Sequence, residues 1–140
     1  MEPGTNTKVK AMAHILLIDD DEDTRAVLEE LLSSAGHEVV TAADGKEGLA
    51  QFRAAPADLV ITDLFMPNQE GLETISHLRR DFPDALIIAM SGNTVAGMML
   101  SIAKRLGAVE VLQKPFFPRE LMSMVEKVLQ SRSQILTTTA

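Results

Sequence analysis

Cysteine is absent from the 140-residue chain, so it carries neither a disulfide framework nor a thiolate metal or redox centre. A reducing compartment suits such a chain without being required, and a cytoplasmic location is expected. Tryptophan and tyrosine are also missing and phenylalanine occurs five times, which removes the usual stacking platforms for flavins, bases or single-stranded nucleic acid. Basic residues are in deficit. Thirteen Lys and Arg stand against 20 Asp and Glu, a formal net charge of −7, and that balance offers no basic face able to displace counterions from nucleic acid. A basic or cationic partner fits it better, and no direct contact with nucleic acid is expected. No apolar run approaches the ~18 residues of a membrane span, and Met1 to Ala13 lack the apolar centre of a signal peptide.

What is present is ordinary globular material. Hydrophobic residues make up 46% and charged residues 24% of the chain, which sets aside wholesale disorder, collagen-like repetition and coiled-coil bias. Short apolar runs rich in branched residues alternate with stretches of helical spacing. His14 to Ile18, Glu38 to Thr41, Asp58 to Thr62, Ala85 to Met90 and Val109 to Gln113 read as strands, several of them apolar almost throughout, as strands covered on both faces must be. Thr24 to Ala35 reads as a helix with Val27, Leu28, Leu31 and Leu32 as its buried stripe and Gly36 as its stop. Asp44 to Arg53, Gly71 to Arg80 and Val95 to Leu106 read as further helices, and a fifth follows Pro118 with Leu121, Met122, Val125, Val128 and Leu129 facing inward. Right-handed crossovers spread such helices over both faces of a parallel sheet, so one doubly wound α/β domain is expected over residues 14–130. Residues 1–13 and 131–140 read as solvated tails.

In an open parallel sheet, ligands bind beyond the carboxyl ends of the strands. The expected strands end in Asp19-Asp20, Asp63, Ser91 and Lys114-Pro115, so three carboxylates, a hydroxyl and an ammonium converge on one edge. Three such carboxylates, left unpaired, raise one another's pKa values and destabilise the domain. Mg2+ relieves that strain, because it takes one or two carboxylates together with waters and a phosphate oxygen. Lys114 and Ser91 suit phosphoryl oxygens as a point charge and a hydroxyl donor. A carboxylate can itself be the nucleophile and become an aspartyl phosphate.

Four segments carry a family resemblance: Ile15-Leu16-Leu17-Ile18-Asp19-Asp20-Asp21; Val60-Ile61-Thr62-Asp63-Leu64-Phe65-Met66-Pro67 with Gly71; Ala89-Met90-Ser91-Gly92; and Gln113-Lys114-Pro115-Phe116. In that order and spacing the chain resembles the receiver domain of two-component response regulators over roughly His14 to Gln130. The resemblance implies a flavodoxin-like, CheY-like (βα)5 fold with strand order 2-1-3-4-5. It implies that Asp63 is the phosphoacceptor, taking a phosphoryl group from a phosphohistidine on a sensor histidine kinase or histidine phosphotransfer protein. Asp19 and Asp20 would hold Mg2+ with the Asp63 carboxylate and the backbone carbonyl of Phe65. Ser91 would be the switch hydroxyl, Lys114 would pair with a phosphoryl oxygen, and Pro115 would follow a cis peptide bond that aims Lys114 into the pocket. It further implies a candidate homodimer face on the fourth helix, fifth strand and fifth helix. The polar residues 131–140 leave no room for an effector domain, so the chain reads as a stand-alone receiver signalling to an unknown downstream protein by contact or phosphorelay. A receiver excised from a larger regulator or hybrid kinase is the alternative. No enzymatic activity is expected beyond self phosphotransfer and autodephosphorylation.

Other readings are weaker. Asp19, Asp21 and Asp23 with Glu30 imitate a calcium loop, but Thr24 stands where its sharp turn requires glycine, and Asp21, Glu22 and Asp23 suit the start of a helix. Gly45-Lys46 lacks the first glycine and the following hydroxyl of a phosphate loop. His14, His37 and His77 lack metal-ligand spacing and read as surface or strand-end residues. Met99 and Ile102 read as core, with Met98 left open. An aspartyl phosphatase of the haloacid-dehalogenase kind would place its nucleophile after the first strand, and a flavodoxin-like cofactor binder would need a phosphate-cradling loop where carboxylates stand. A phosphorylation-silent scaffold is a further rival. One position departs from the family pattern: Val111 replaces the aromatic residue usual three places before the pocket lysine, so any switch is expected to work through the loop after Ser91 and the fourth helix. Phe65 and Asn93, two residues beyond Asp63 and Ser91, lead to an expectation of slow self-dephosphorylation.

Overall fold

Successive residues of a strand point to opposite faces of its sheet, and in this chain both sets are apolar. The structure, a computed structural model, describes residues 12–64, 70–92 and 96–139. Among these residues strands and helices alternate strictly: β1 (His14–Ile18), α1 (Glu22–Ser34), β2 (Glu38–Ala42), α2 (Gly45–Ala54), β3 (Leu59–Asp63), α3 (Glu70–Asp81), β4 (Ile87–Ser91), α4 (Ala96–Leu106), β5 (Glu110–Gln113) and α5 (Pro118–Thr139). The strands are all parallel, in the expected order β2-β1-β3-β4-β5.

The alternation builds two cores on one sheet. Ile15 and Leu17 of β1 and Leu59 and Ile61 of β3 pack with Leu28 and Leu32 of α1 and Leu121 and Val125 of α5. Leu16 and Ile18 of β1 and Val60 of β3 pack on the other face with Phe52 of α2, Ile75 and Leu78 of α3 and Leu100 of α4. Each fully buried Leu or Ile contributes about 1.5–3 kcal/mol of transfer free energy, and β1, β3 and β4 supply most of them because the edge strands β2 and β5 are partly open.

Local chemistry sets the helix ends. The Asp21 carboxylate accepts the Thr24 amide at 3.0 Å, and Glu22 and Asp23 lie in the first turn of α1, where the helix dipole favours negative charge. Asp44 caps α2 by accepting the Glu47 amide at 2.8 Å, while the Glu47 side chain accepts the amide of Ala43, the residue before the cap, at 2.9 Å. α1 ends in a Schellman motif: the Gly36 amide donates to Ser33 and the His37 amide to Leu32, with Gly36 at φ 99° in the left-handed region that glycine adopts without strain. At the far ends of α3 and α4, the Arg79 guanidinium donates to the carbonyls of Pro83, Ala85 and Gly107 and ties the two turns together.

Two sequence expectations need correction. Val27 is 59% exposed rather than part of the buried stripe of α1; it lies about 100° round the helix from Leu28, outside the arc that Leu28, Leu31 and Leu32 span. α5 continues to Thr139 where a tail was expected from residue 131, because no glycine or proline follows Pro118 to stop it, and Arg132 pairs with Asp58 at 3.2 Å beyond the expected end. His37 stands directly before β2, the strand-end place expected for it, and is buried there with its Nδ1 accepting the Ala13 amide at 3.2 Å. Met98 is 67% exposed, and Ile102 is half-buried. Among the described residues no helix is long and apolar enough to cross a membrane. The burial pattern of α1 predicts that Leu32→Ala costs about 3 kcal/mol, whereas Val27→Ala stays within about 0.5 kcal/mol of the parent; urea unfolding of the two variants checks both values.

Candidate functional site

Parallel register brings the strand ends into one place. Ile18 of β1 lies level with Thr62 of β3, so Asp19 comes beside Asp63. Asp63 is level with Met90 of β4, and Ser91 with Gln113 of β5, one residue before Lys114. Asp19, Asp63, Ser91 and Lys114 therefore gather at the carboxyl ends of four neighbouring strands, with Asp20 beside them. The Lys114–Pro115 peptide is cis.

Asp19 is fully buried and Asp63 is 6% exposed, while Asp20 is exposed at the mouth. One carboxylate oxygen from each lies within 4.8 Å of the others. Mg2+ bonds oxygen at about 2 Å in octahedral geometry, so these three all-oxygen donors fit one small hard cation with waters completing its shell. The Lys114 ammonium enters the cluster from β5, its Nζ 3.2 Å from Asp19 Oδ2 and 3.2 Å from Asp63 Oδ2. The second Asp19 oxygen, Oδ1, accepts the Asp21 amide at 2.9 Å. Ser91 Oγ is fully buried and meets no hydrogen-bond partner among the described residues. A buried hydroxyl without a partner is costly, and an incoming acceptor oxygen would satisfy it.

Glycine is required at one position by space rather than by dihedral angle. A Cβ on Gly71 would stand 2.5 Å from the Asp63 carbonyl oxygen and 2.5 Å from Leu64 Cα, so α3 rests directly on the backbone that carries the Asp63 carboxylate. Val111 is half-buried, level with Ala89, and packs against the core shared by α2, α3 and α4. The expected Phe65 carbonyl ligand and Asn93 lie outside the described residues. One participant escaped the sequence reading: Arg25, one turn into α1, donates from Nη1 to the Asp19 carbonyl at 2.8 Å. Its position four residues after the cap Asp21, beside an acidic cluster short of cations, was the available signal.

Burial is the largest single influence on Lys114 and lowers its pKa, but the charges of Asp63 and Asp19 and their hydrogen bonds together outweigh it and hold the pKa above the ordinary 10.5. A folded-state pKa raised above the unfolded value means that the Lys114 charge stabilises the fold fully below pH 10.5 and loses that contribution as pH rises through the folded value. Lys114→Met, which strands two buried carboxylates, is expected to cost about 3 kcal/mol in metal-free buffer near neutral pH. Urea midpoints across pH should show that gap shrinking only above pH 10.5; a gap already closing near pH 8 would contradict the ion-pair geometry.

Known proteins are similar to this chain in sequence and in fold. A family model described as the response regulator receiver domain matches residues 15–126. The chain is 39% identical over 121 residues to the DNA-binding transcriptional regulator NtrC of Azospirillum brasilense, covering 86% of this chain and 25% of that protein. It is 35% identical over 127 residues to the probable transcriptional regulator ycf27 of Cyanophora paradoxa, covering 90% of this chain and 52% of that one. The chain thus spans between about a quarter and a half of the length of these relatives. Among solved structures, the chemotaxis protein CheY4 of Vibrio cholerae superposes with a TM-score of 0.77 at 34% identity, covering 84% of this chain and 99% of that one. NtrX of Brucella abortus in complex with ADP gives a TM-score of 0.84 at 27% identity, covering 92% of this chain and 29% of that one. With its fold, its acidic pocket and its four motifs in place, the chain belongs to the response regulator receiver domain family.

Proposed function

We propose that Asp63 accepts a phosphoryl group from a phosphohistidine of a sensor histidine kinase or histidine phosphotransfer protein, and that the phosphorylated domain signals through protein contact or phosphorelay. The observation that carries this reading is the Asp63 carboxylate paired with Lys114 beside Asp19 and Asp20, with Ser91 buried and lacking a hydrogen-bond partner among the described residues at the end of the adjoining strand.

Phosphoryl transfer demands positioning and charge neutralisation more than covalent help from the protein. An Asp63 oxygen forms a bond to phosphorus as the phosphorus–nitrogen bond of the donor breaks, and the donor imidazole leaves with that electron pair. Lys114 already sits against Asp63 and can follow the new phosphoryl oxygens as a point charge, while the Ser91 hydroxyl donates to another oxygen. Asp19, Asp20 and Asp63 would hold Mg2+, joined by the Phe65 carbonyl that the family pattern adds, and the ion when bound neutralises charge on the transferring oxygens. The chain turns over no separate substrate in this reading; its chemistry is self phosphotransfer and autodephosphorylation.

Output follows from the surface and from Val111. An excess of acidic residues supports protein contact over direct contact with nucleic acid by this domain. The chain covers 99% of the solved CheY4 chain and 25% of NtrC, so a stand-alone receiver and a receiver within a longer regulator are both carried forward; the mass of the protein recovered from its native cells separates the two. Val111 has no ring to relocate, so the switch runs through α4 and the segment after Ser91. Amide shifts on adding a phosphoryl mimic should concentrate there, and changes confined to β5 would contradict it. The central test is incubation with Mg2+ and acetyl phosphate, and in parallel with a phosphorylated histidine kinase, followed by intact mass: the wild type gains one phosphoryl group and Asp63→Asn gains none, whereas equal gain in both proteins, or no gain in either from both donors, would overturn the assignment.

A further inference from the structure

We infer that Arg25 is a positioning residue for the metal site, its hydrogen bond to the Asp19 carbonyl fixing the direction in which Asp20 presents its carboxylate. The inference rests on the reading that Asp20 is a ligand of Mg2+. Of the three carboxylates, Asp19 is held by Lys114 and by the Asp21 amide, and Asp63 by Lys114. Asp20 is exposed, and among the described residues no hydrogen bond or ion pair holds its carboxylate. Its placement must come from the backbone. The Asp19 carbonyl and the Asp20 Cα belong to one planar peptide unit, so a donor that fixes the Asp19 oxygen also fixes where Asp20 leaves the chain.

Arg25 is placed to do this. Its Nη1 donates to the Asp19 carbonyl at 2.8 Å from a half-buried position, and its own amide donates to the Asp21 carbonyl at 3.0 Å as α1 begins. The turn from Asp19 to Arg25 is therefore closed at both ends, with the Asp19 amide tied in addition to the Ala42 carbonyl at 3.1 Å. Charge alone argues for the opposite effect, because a guanidinium beside the cluster repels a divalent cation and its removal would tighten binding. The sign of the change separates the two roles.

The experiment is isothermal titration of Mg2+ into metal-free wild type, Arg25→Met and Arg25→Lys, with urea midpoints to establish that each variant is folded. Partners that orient metal ligands typically govern affinity by tenfold or more, so Arg25→Met should bind Mg2+ roughly tenfold more weakly. Arg25→Lys keeps the charge and a donor but not the planar fork, and should fall between. In both variants the Asp20 amide resonance should move before any metal is added. Affinity equal to or tighter than wild type in both variants would overturn the positioning role while leaving the metal site standing. Failure of the wild type itself to bind Mg2+ would overturn the metal reading and this inference with it.

Discussion

A buried carboxylate pair beside a third carboxylate is the constraint around which this domain is arranged. Asp19 and Asp63 lie beside each other inside the molecule, away from the water that would screen them, and two unpaired charges in such a place would cost several kcal/mol each. Lys114 answers both at once, at 3.2 Å from each. The arrangement holds only if β1, β3 and β5 end at the same level, so the register of the sheet and the electrostatics of its edge are one problem. The uninterrupted apolar strands fix that level: a slip of one residue would exchange the two cores and carry the carboxylates with it.

Reactivity grows from the same arrangement. A lysine that neutralises two carboxylates without closing every oxygen leaves room for a hard cation, and a hydroxyl with no partner among the described residues, Ser91 Oγ, stands ready for an acceptor. Both are costs carried by the resting fold, and each is of the kind that binding relieves.

Much of this was legible in the sequence, and for specific reasons. Elements were readable because branched apolar runs and helical stripes differ in period, and because Asp21, Asp44 and Gly36 mark helix ends through chemistry local to a few residues. Site residues were readable because a parallel sheet delivers the residue after each strand to one edge. What was misread depends on information that no short segment holds. Val27 is apolar and nearly on the stripe of α1, and only the position of the sheet decides that it faces outward. The Arg25 contact depends on how the turn after β1 folds back, and α5 runs on to Thr139 because no glycine or proline after Pro118 stops it.

Gly36 and Gly71 restrict the chain in different currencies. At Gly36 a side chain would meet nothing within 4 Å, and the left-handed φ is what resists it, so a replacement there lowers stability and leaves the pocket as it was. At Gly71 the dihedral is ordinary and the obstacle is the backbone of Asp63 and Leu64, so a replacement must move the phosphoacceptor strand or the helix above it. Sequence drift at the first position is a matter of degree; at the second it is coupled to function from the first added carbon.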